Sequence, residues 1–190
     1  MVCVPPLFLW GLLMNARSVS DVFEMIAVLL EYEGENPFKI KAYHSAARIL
    51  HSSPLNLEPG NVREAVATMD GIGDALAKKI VELVETGHLE YLDRLKARIP
   101  EGVREILLIP GLGPRKTRRI VEELGVSSIG ELEYACRENR LAHMKGFGEK
   151  SQKMILDGIE LVLRSQGRLR IDSAIERVNT EKKIGRAASR

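Results

Sequence analysis

The chain has 190 residues, 45% hydrophobic and 5% aromatic, with 28 Lys+Arg against 26 Asp+Glu and a formal net charge of +2. That composition excludes disorder over most of the length and allows one or two small globular domains. It also excludes a polybasic protein that grips nucleic acid by bulk charge, so any such site must come from where the cations sit. Leu, Ala, Glu, Ile, Lys and Arg dominate while Thr, Phe and Tyr are scarce, which predicts an all-α fold.

At the start, Val2 to Met14 is apolar but too short to span a bilayer, and it lacks the charged flank and cleavage site of a signal peptide. Residues 1–13 are expected to be a non-native-looking or disordered extension before a start at Met14, with a weak membrane or partner anchor as the alternative. Ser18 to Asp21 reads as a capping box, followed by Val22, Ile26, Leu29 and Leu30 at helical spacing until Gly34. Asn36-Pro37 restarts a helix through Ile40, Tyr43, Ala47 and Leu50, and Ser52 to Gly60 reads as a loop. A short helix follows near Val62 to Thr68, then one from Asp74 to about Thr86 ended by Gly87, and another through Leu89, Leu92 and Leu95.

Ile99-Pro-Glu-Gly102 predicts the boundary between a domain over 14–98 and a second over 99–165. Beyond it, helices are predicted near Val103 to Leu108, Pro114 to Leu124, Ser128 to Arg137 and Glu149 to Arg164, with a second capping box at Ser128 and Glu131. Residues 166–190 read as a frayed basic tail that would add non-specific affinity for phosphate polymers. Cys3 and Cys136 form no metal or disulfide pattern, and the four histidines are scattered, which points to a reducing, cytoplasmic setting.

An internal repeat carries the chemistry. Met69-Asp-Gly-Ile-Gly73, Ile109-Pro-Gly-Leu-Gly113 and Met144-Lys-Gly-Phe-Gly148 share one plan, each between a short helix and a longer one. Registered on the first glycine, Ile72, Leu112 and Phe147 coincide, as do Ile80, Ile120 and Ile155. One such turn means little, since glycine is common at helical corners, but three in the same context are a strong signal. Without a Cβ at Gly71, Gly73, Gly111, Gly113, Gly146 and Gly148, a phosphate can approach the main-chain N–H groups and the positive end of the next helix. No base edge is read this way, so binding would ignore sequence. Lys78, Arg115, Lys116, Arg118, Arg119 and Lys150 lie early in the following helices and are expected to meet the backbone of DNA.

These segments resemble helix-hairpin-helix motifs. With Gly34-Glu-Asn-Pro-Phe-Lys-Ile-Lys-Ala-Tyr43 upstream, their order resembles the N-terminal part of family X DNA polymerases, prokaryotic branch, from about Met14 to about Ile171. The resemblance implies a lyase-type domain followed by a fingers-like (or thumb) domain, binding gapped, nicked or abasic DNA in repair, with no membrane involvement. It also implies a Na+ or K+ ion at the hairpins through backbone carbonyls near Met69 and Ile72 and near Ile109 and Leu112, and no other cofactor. Polymerisation in this family needs a palm with paired aspartates for two magnesium ions, and the sequence contains no Asp-x-Asp. The chain is therefore expected not to polymerise DNA alone; a truncated gene product, a fragment, or one half of a split enzyme served by a separate palm chain are the alternatives for its extent.

The family's lyase uses a lysine amine to form a Schiff base with an abasic sugar, and the resemblance assigns that role to Lys79. Helical periodicity independently puts Lys79 on the margin of the face made by Ile72, Leu76, Ile80 and Leu83, where partial desolvation favours the nucleophilic amine, while Lys78 points away. The matching residues of the other copies, Arg119 and Met154, cannot form an imine. Lys39 and Tyr43 match family positions that bind the 5′-phosphate and assist the sugar chemistry, whereas two basic pocket positions of the animal enzyme fall on Ala75 and Tyr91. The principal expectation is a sequence-independent DNA-binding protein. An abasic-site lyase is the alternative, and a scaffold for proteins alone would leave the glycine repeats unexplained.

Overall fold

The computed structural model describes residues 15–55 and 57–165; the expected extension over 1–13 and the tail over 166–190 lie outside them. The fold is all-α, with no strand among the described residues. The chain divides into two compact units between Glu101 and Gly102. No helix among the described residues is long and apolar enough to cross a membrane.

The first unit holds α1 (Ala16–Glu33), α2 (Pro37–Ser52), α3 (Val62–Ala67), α4 (Asp74–Thr86) and α5 (Glu90–Arg98). Helix α1 begins earlier than the Ser18 capping box predicts. Asn15 is the N-cap, its side chain accepting from Ser18 N at 2.9 Å, so Ser18 lies inside the first turn. Asn and Ser cap equally well, and the earlier start lets Ala16 and Val19 join the buried face. Gly34 ends α1 in the left-handed region, and Asn36 caps α2 ahead of Pro37. The two helices run antiparallel, tied by Ser20 Oγ donating to Ala47 O at 2.7 Å and by Glu24 against His44. Phe23, Ile26, Leu30, Leu50, Leu57, Ile80 and Leu95 form the buried centre of this unit. Each such side chain contributes roughly 1.5–3 kcal/mol of burial. Helix α4 also starts α5, because Glu82 Oε1 accepts from Glu90 N at 2.9 Å.

The second unit begins one residue into α6 (Glu101–Ile106) and continues through α7 (Pro114–Leu124), α8 (Ile129–Arg137) and α9 (149–165). Its core gathers Ile106, Ile120, Leu132, Leu141 and Ile155. The capping box at α8 is displaced by one residue. Ser128 Oγ accepts from Glu131 N at 3.3 Å, but the Glu131 carboxylate reaches back to Ser127 N at 2.7 Å and Ser127 Oγ at 2.9 Å. Those bonds hold the Glu131 carboxyl below the ordinary carboxylate range. The same loop presses on α6, since a Cβ on Gly102 would lie 2.2 Å from Ser127 O. Gly102→Ala is expected to cost about 2 kcal/mol or more by forcing these backbones apart, read as a lowered denaturation midpoint.

Candidate nucleic-acid interface

The three glycine turns have one backbone conformation. Gly71, Gly111 and Gly146 have φ of 87°, 80° and 85°. The residue after each closes the turn, with N–H groups of Ile72, Leu112 and Phe147 donating to Met69 O, Ile109 O and Met144 O at 3.4, 3.1 and 3.0 Å. These are type II turns, in which the third residue needs positive φ, so the first glycine of each motif is dictated by the backbone.

The second glycine of each motif has no such constraint. Gly73 and Gly113 cap their helices in extended conformation, with φ −77° and −69° and ψ 161° in both. Gly148 likewise has no positive φ, and its carbonyl accepts from Gln152 N at 2.9 Å to open α9. A Cβ at Gly73, Gly113 or Gly148 would meet nothing within 4 Å. Neither strain nor packing therefore asks for glycine there. What its absence of side chain leaves is an open approach to the unpaired N–H groups at a helix N-terminus, where the dipole favours an anion. No side chain caps α4 or α7 from these positions.

In the second unit the two hairpins lock together reciprocally. Arg119, eight residues after Gly111, lies with Nη1 3.6 Å from where a Cβ of Gly146 would stand, and its Nη2 donates to Lys145 O at 3.0 Å. Met154, eight residues after Gly146, lies with Sδ 3.1 Å from the corresponding point on Gly111. The Phe147 ring is flanked by Lys116 Nζ at 5.9 Å and the Arg119 guanidinium at 5.6 Å. Arg118 and Arg119 also pair along α7 with Glu122 and Glu123, at 2.7 and 2.8 Å. Exposed pairs of this kind are worth only tenths of a kcal/mol, so a phosphate can compete for these cations. Arg115, Lys116, Lys145, Lys150 and Lys153 are exposed around the two turns.

In the first unit the eighth position is Lys79, and it closes no partner turn. Ile49 of α2 covers Gly71 instead, its Cδ1 2.9 Å from a Cβ built there. Lys79 Nζ lies 5.1 Å from the Tyr91 ring centroid and donates to Ala75 O at 3.4 Å, with no carboxylate partner among the described residues. Lys39 Nζ stands over the same ring at 5.5 Å and pairs with Glu35 at 2.9 Å. The Tyr91 ring stacks on Tyr43, 6.0 Å between centroids and 6° between planes, and Tyr43 rests against Phe23 at 5.6 Å. The structure thus brings Lys39, Tyr43 and Lys79 together around Tyr91. Tyr43 is buried, and desolvation followed by the neighbouring Tyr91 pushes its phenol well above the usual range, so it stays protonated. The hydrogen bond that Lys39 donates to Glu35, helped by Tyr91, raises the Lys39 ammonium and keeps it cationic.

Lys78 is not part of that cluster. It lines a separate groove of about 650 Å³ between α3 and α4, beside Arg63, Asp74, Glu82 and Glu85, where the carboxylates make an unfavourable place for a phosphate. Cys136 is buried, and desolvation lifts its thiol to about 11, so it is an inert core residue. Of the carbonyls expected at a monovalent cation, Met69 O and Ile109 O each accept one turn hydrogen bond and keep a second lone pair. Ile72 O and Leu112 O accept no backbone hydrogen bond among the described residues, so this donor set fits a hard cation.

Comparison with known proteins agrees with this geometry. Residues 14–89 match the helix-hairpin-helix domain family, and residues 103–160 match the SAM-like helix-hairpin-helix tandem. The chain is 32% identical over 146 residues to a DNA polymerase/3′-5′ exonuclease PolX of Bacillus subtilis (strain 168), a match covering 77% of this chain. It spans 25% of that relative's length. The chain belongs to the helix-hairpin-helix proteins, as a relative of the N-terminal region of family X DNA polymerases.

Proposed function

We propose that this protein binds DNA without regard to sequence, holding backbone phosphates at the N-termini of α4, α7 and α9, in a repair setting where strands are nicked, gapped or abasic. The observation that carries the reading is the second glycine of each turn, required by neither backbone nor packing yet present at all three helix starts. A phosphate there accepts from main-chain N–H groups, with nearby Arg and Lys adding charge. The similarity to a DNA polymerase/3′-5′ exonuclease supports the same reading. Any polymerisation would draw on a palm outside these 190 residues, and we place the activity in the cytoplasm. Monovalent Na+ or K+ on the carbonyls of Met69, Ile72, Ile109 and Leu112 would brace the first two turns and add positive charge beside the phosphates.

Affinity for duplexes of unrelated sequence should agree within about threefold, and log Kd should rise linearly with log salt, as counterion release requires. Fluorescence anisotropy across a salt series checks both. A strong preference for one sequence would contradict the reading.

A second reading is favoured by the surroundings of Lys79: the first unit acts as a lyase on 5′-deoxyribose phosphate. The Lys79 amine has no acid partner among the described residues and lies at an aromatic face beside the cationic Lys39. That suits an amine meant to attack the C1′ aldehyde of an abasic sugar, lose water and form an imine, with Lys39 holding the 5′-phosphate.

A further inference from the structure

Each glycine turn is covered by a different side chain, and in the second turn that side chain carries a sulfur. Ile49 covers Gly71, and Arg119 covers Gly146 with a guanidinium that also donates to Lys145 O at 3.0 Å. Met154 covers Gly111, its Sδ 3.1 Å and its Cε 3.2 Å from the point where a Cβ would stand. A thioether holds such a place by van der Waals contact and burial of apolar surface. Met154 is also open to solvent, 42% exposed, whereas Met69 and Met144 at the start of the other two turns are 9% and 7% exposed. Met25 is the other accessible methionine among the described residues, and it lies on α1 in the first unit. Met154 is therefore both within reach of an oxidant and seated on the turn that leads, through Leu112, to Gly113 and the start of α7.

We propose that Met154 is an oxidation site, and that its conversion to the sulfoxide by a hydroperoxide weakens the grip of the second turn on DNA. The inference rests on the phosphate-binding reading of that turn. In the reaction a sulfur lone pair takes the terminal oxygen of the peroxide, so an S–O bond forms and the O–O bond breaks. The departing hydroxide or alkoxide gains a proton and leaves as water or alcohol; sulfur gives up two electrons and the peroxide accepts them. The product is polar, with an acceptor oxygen on the atom that packs against Gly111, so it favours water over the turn. With that cover gone, the turn loses the contact that fixes it ahead of the α7 N–H groups. The turn at Gly146 keeps its Arg119 cover, which peroxide does not oxidise in this way.

The test treats the full chain with hydrogen peroxide, maps the added oxygen by peptide mass, and measures duplex affinity by fluorescence anisotropy. Each protein is compared with its own untreated state. Wild type should gain oxygen at Met25 and Met154 sooner than at Met69 or Met144. Its affinity should fall roughly three- to tenfold, the weakening of a charge-assisted contact to phosphate. Methionine sulfoxide reductases with a thiol should restore it. Met154→Leu, which keeps an apolar side chain on the turn without sulfur, should lose no affinity on treatment, while Met25→Leu should lose as much as wild type. Helical circular dichroism should stay unchanged throughout. A treated Met154→Leu that loses affinity like wild type would assign the effect to another residue and overturn the proposal. So would a wild type that resists oxidation at Met154, or that is oxidised there and binds as before. If untreated wild type does not bind DNA, the phosphate reading fails and this inference fails with it.

Discussion

Gly113→Asp should weaken DNA binding by roughly ten- to a hundredfold, the loss expected when charge-assisted bonds from main-chain N–H groups to a phosphate are removed. The same change should leave the fold as stable as before or raise its stability by about a few tenths of a kcal/mol, because Asp is a better N-cap than Gly. The position tolerates it: φ is −69°, and nothing lies within 4 Å of the added Cβ. Its carboxylate would accept from the N–H groups that the phosphate needs and would repel the phosphate as well. Gly73→Asp and Gly148→Asp should behave alike, and Gly60→Asp, in open space away from any turn of this kind, serves as the control for added charge. If the turns were only structural corners, the three variants would bind like the control. Gly111→Ala differs in kind, because its φ of 80° makes any side chain costly, so its loss of binding would come with a loss of stability.

The second large effect concerns Lys79. Borohydride should trap wild type on a 5′-deoxyribose phosphate substrate as a permanent adduct, and Lys79→Arg should reduce that adduct by about a hundredfold or more, since a guanidinium does not serve as the imine-forming nucleophile. DNA affinity should fall far less, because the charge over Tyr91 remains. Lys78→Arg should matter little, as Lys78 lies in the separate groove with Asp74, Glu82 and Glu85. No adduct from wild type under conditions where it binds the same DNA would eliminate the lyase reading. An adduct that survives Lys79→Arg would assign the nucleophile to another amine, with Lys39 the first candidate.

The turns were legible in the sequence because their cause is local. Positive φ at Gly71, Gly111 and Gly146 can be met cheaply only by glycine, so the requirement is written in the residue itself. The register of Ile80, Ile120 and Ile155 was legible for the same reason: each is a fixed step along one helix, and all three are buried. The start of α1 was less so, since Asn15 and Ser18 are both good caps and only burial of Ala16 and Val19 chooses between them. At α8 the spacing of Ser128 and Glu131 announced a box, but Ser127 offered the Glu131 carboxylate two donors, its backbone N–H and its hydroxyl.

Contacts between elements were harder to read. Tyr91 is on α5 and meets Lys39 from α2 and Lys79 from α4, a convergence that no spacing along one helix encodes and that only the family resemblance put in one pocket. The reciprocal closure of Gly146 by Arg119 and of Gly111 by Met154 is equally a matter of packing. One signal was available and missed: Arg118 and Arg119 stand four residues before Glu122 and Glu123, which forecasts the pairing along α7. These cations remain near the turns, but they reach a phosphate only by exchanging a carboxylate for it.

Backbone amide shifts during titration with DNA test the phosphate sites most directly. With a 15N-labelled chain and two duplexes of unrelated sequence, the largest changes should fall on Gly73, Asp74 and Ala75, on Gly113, Arg115 and Lys116, and on Gly148, Glu149 and Lys150. Pro114 has no N–H, so Arg115 and Lys116 carry the second site. The two duplexes should move the same amides in the same direction. Changes concentrated on side chains elsewhere, with these nine amides unmoved at saturation, would contradict the account.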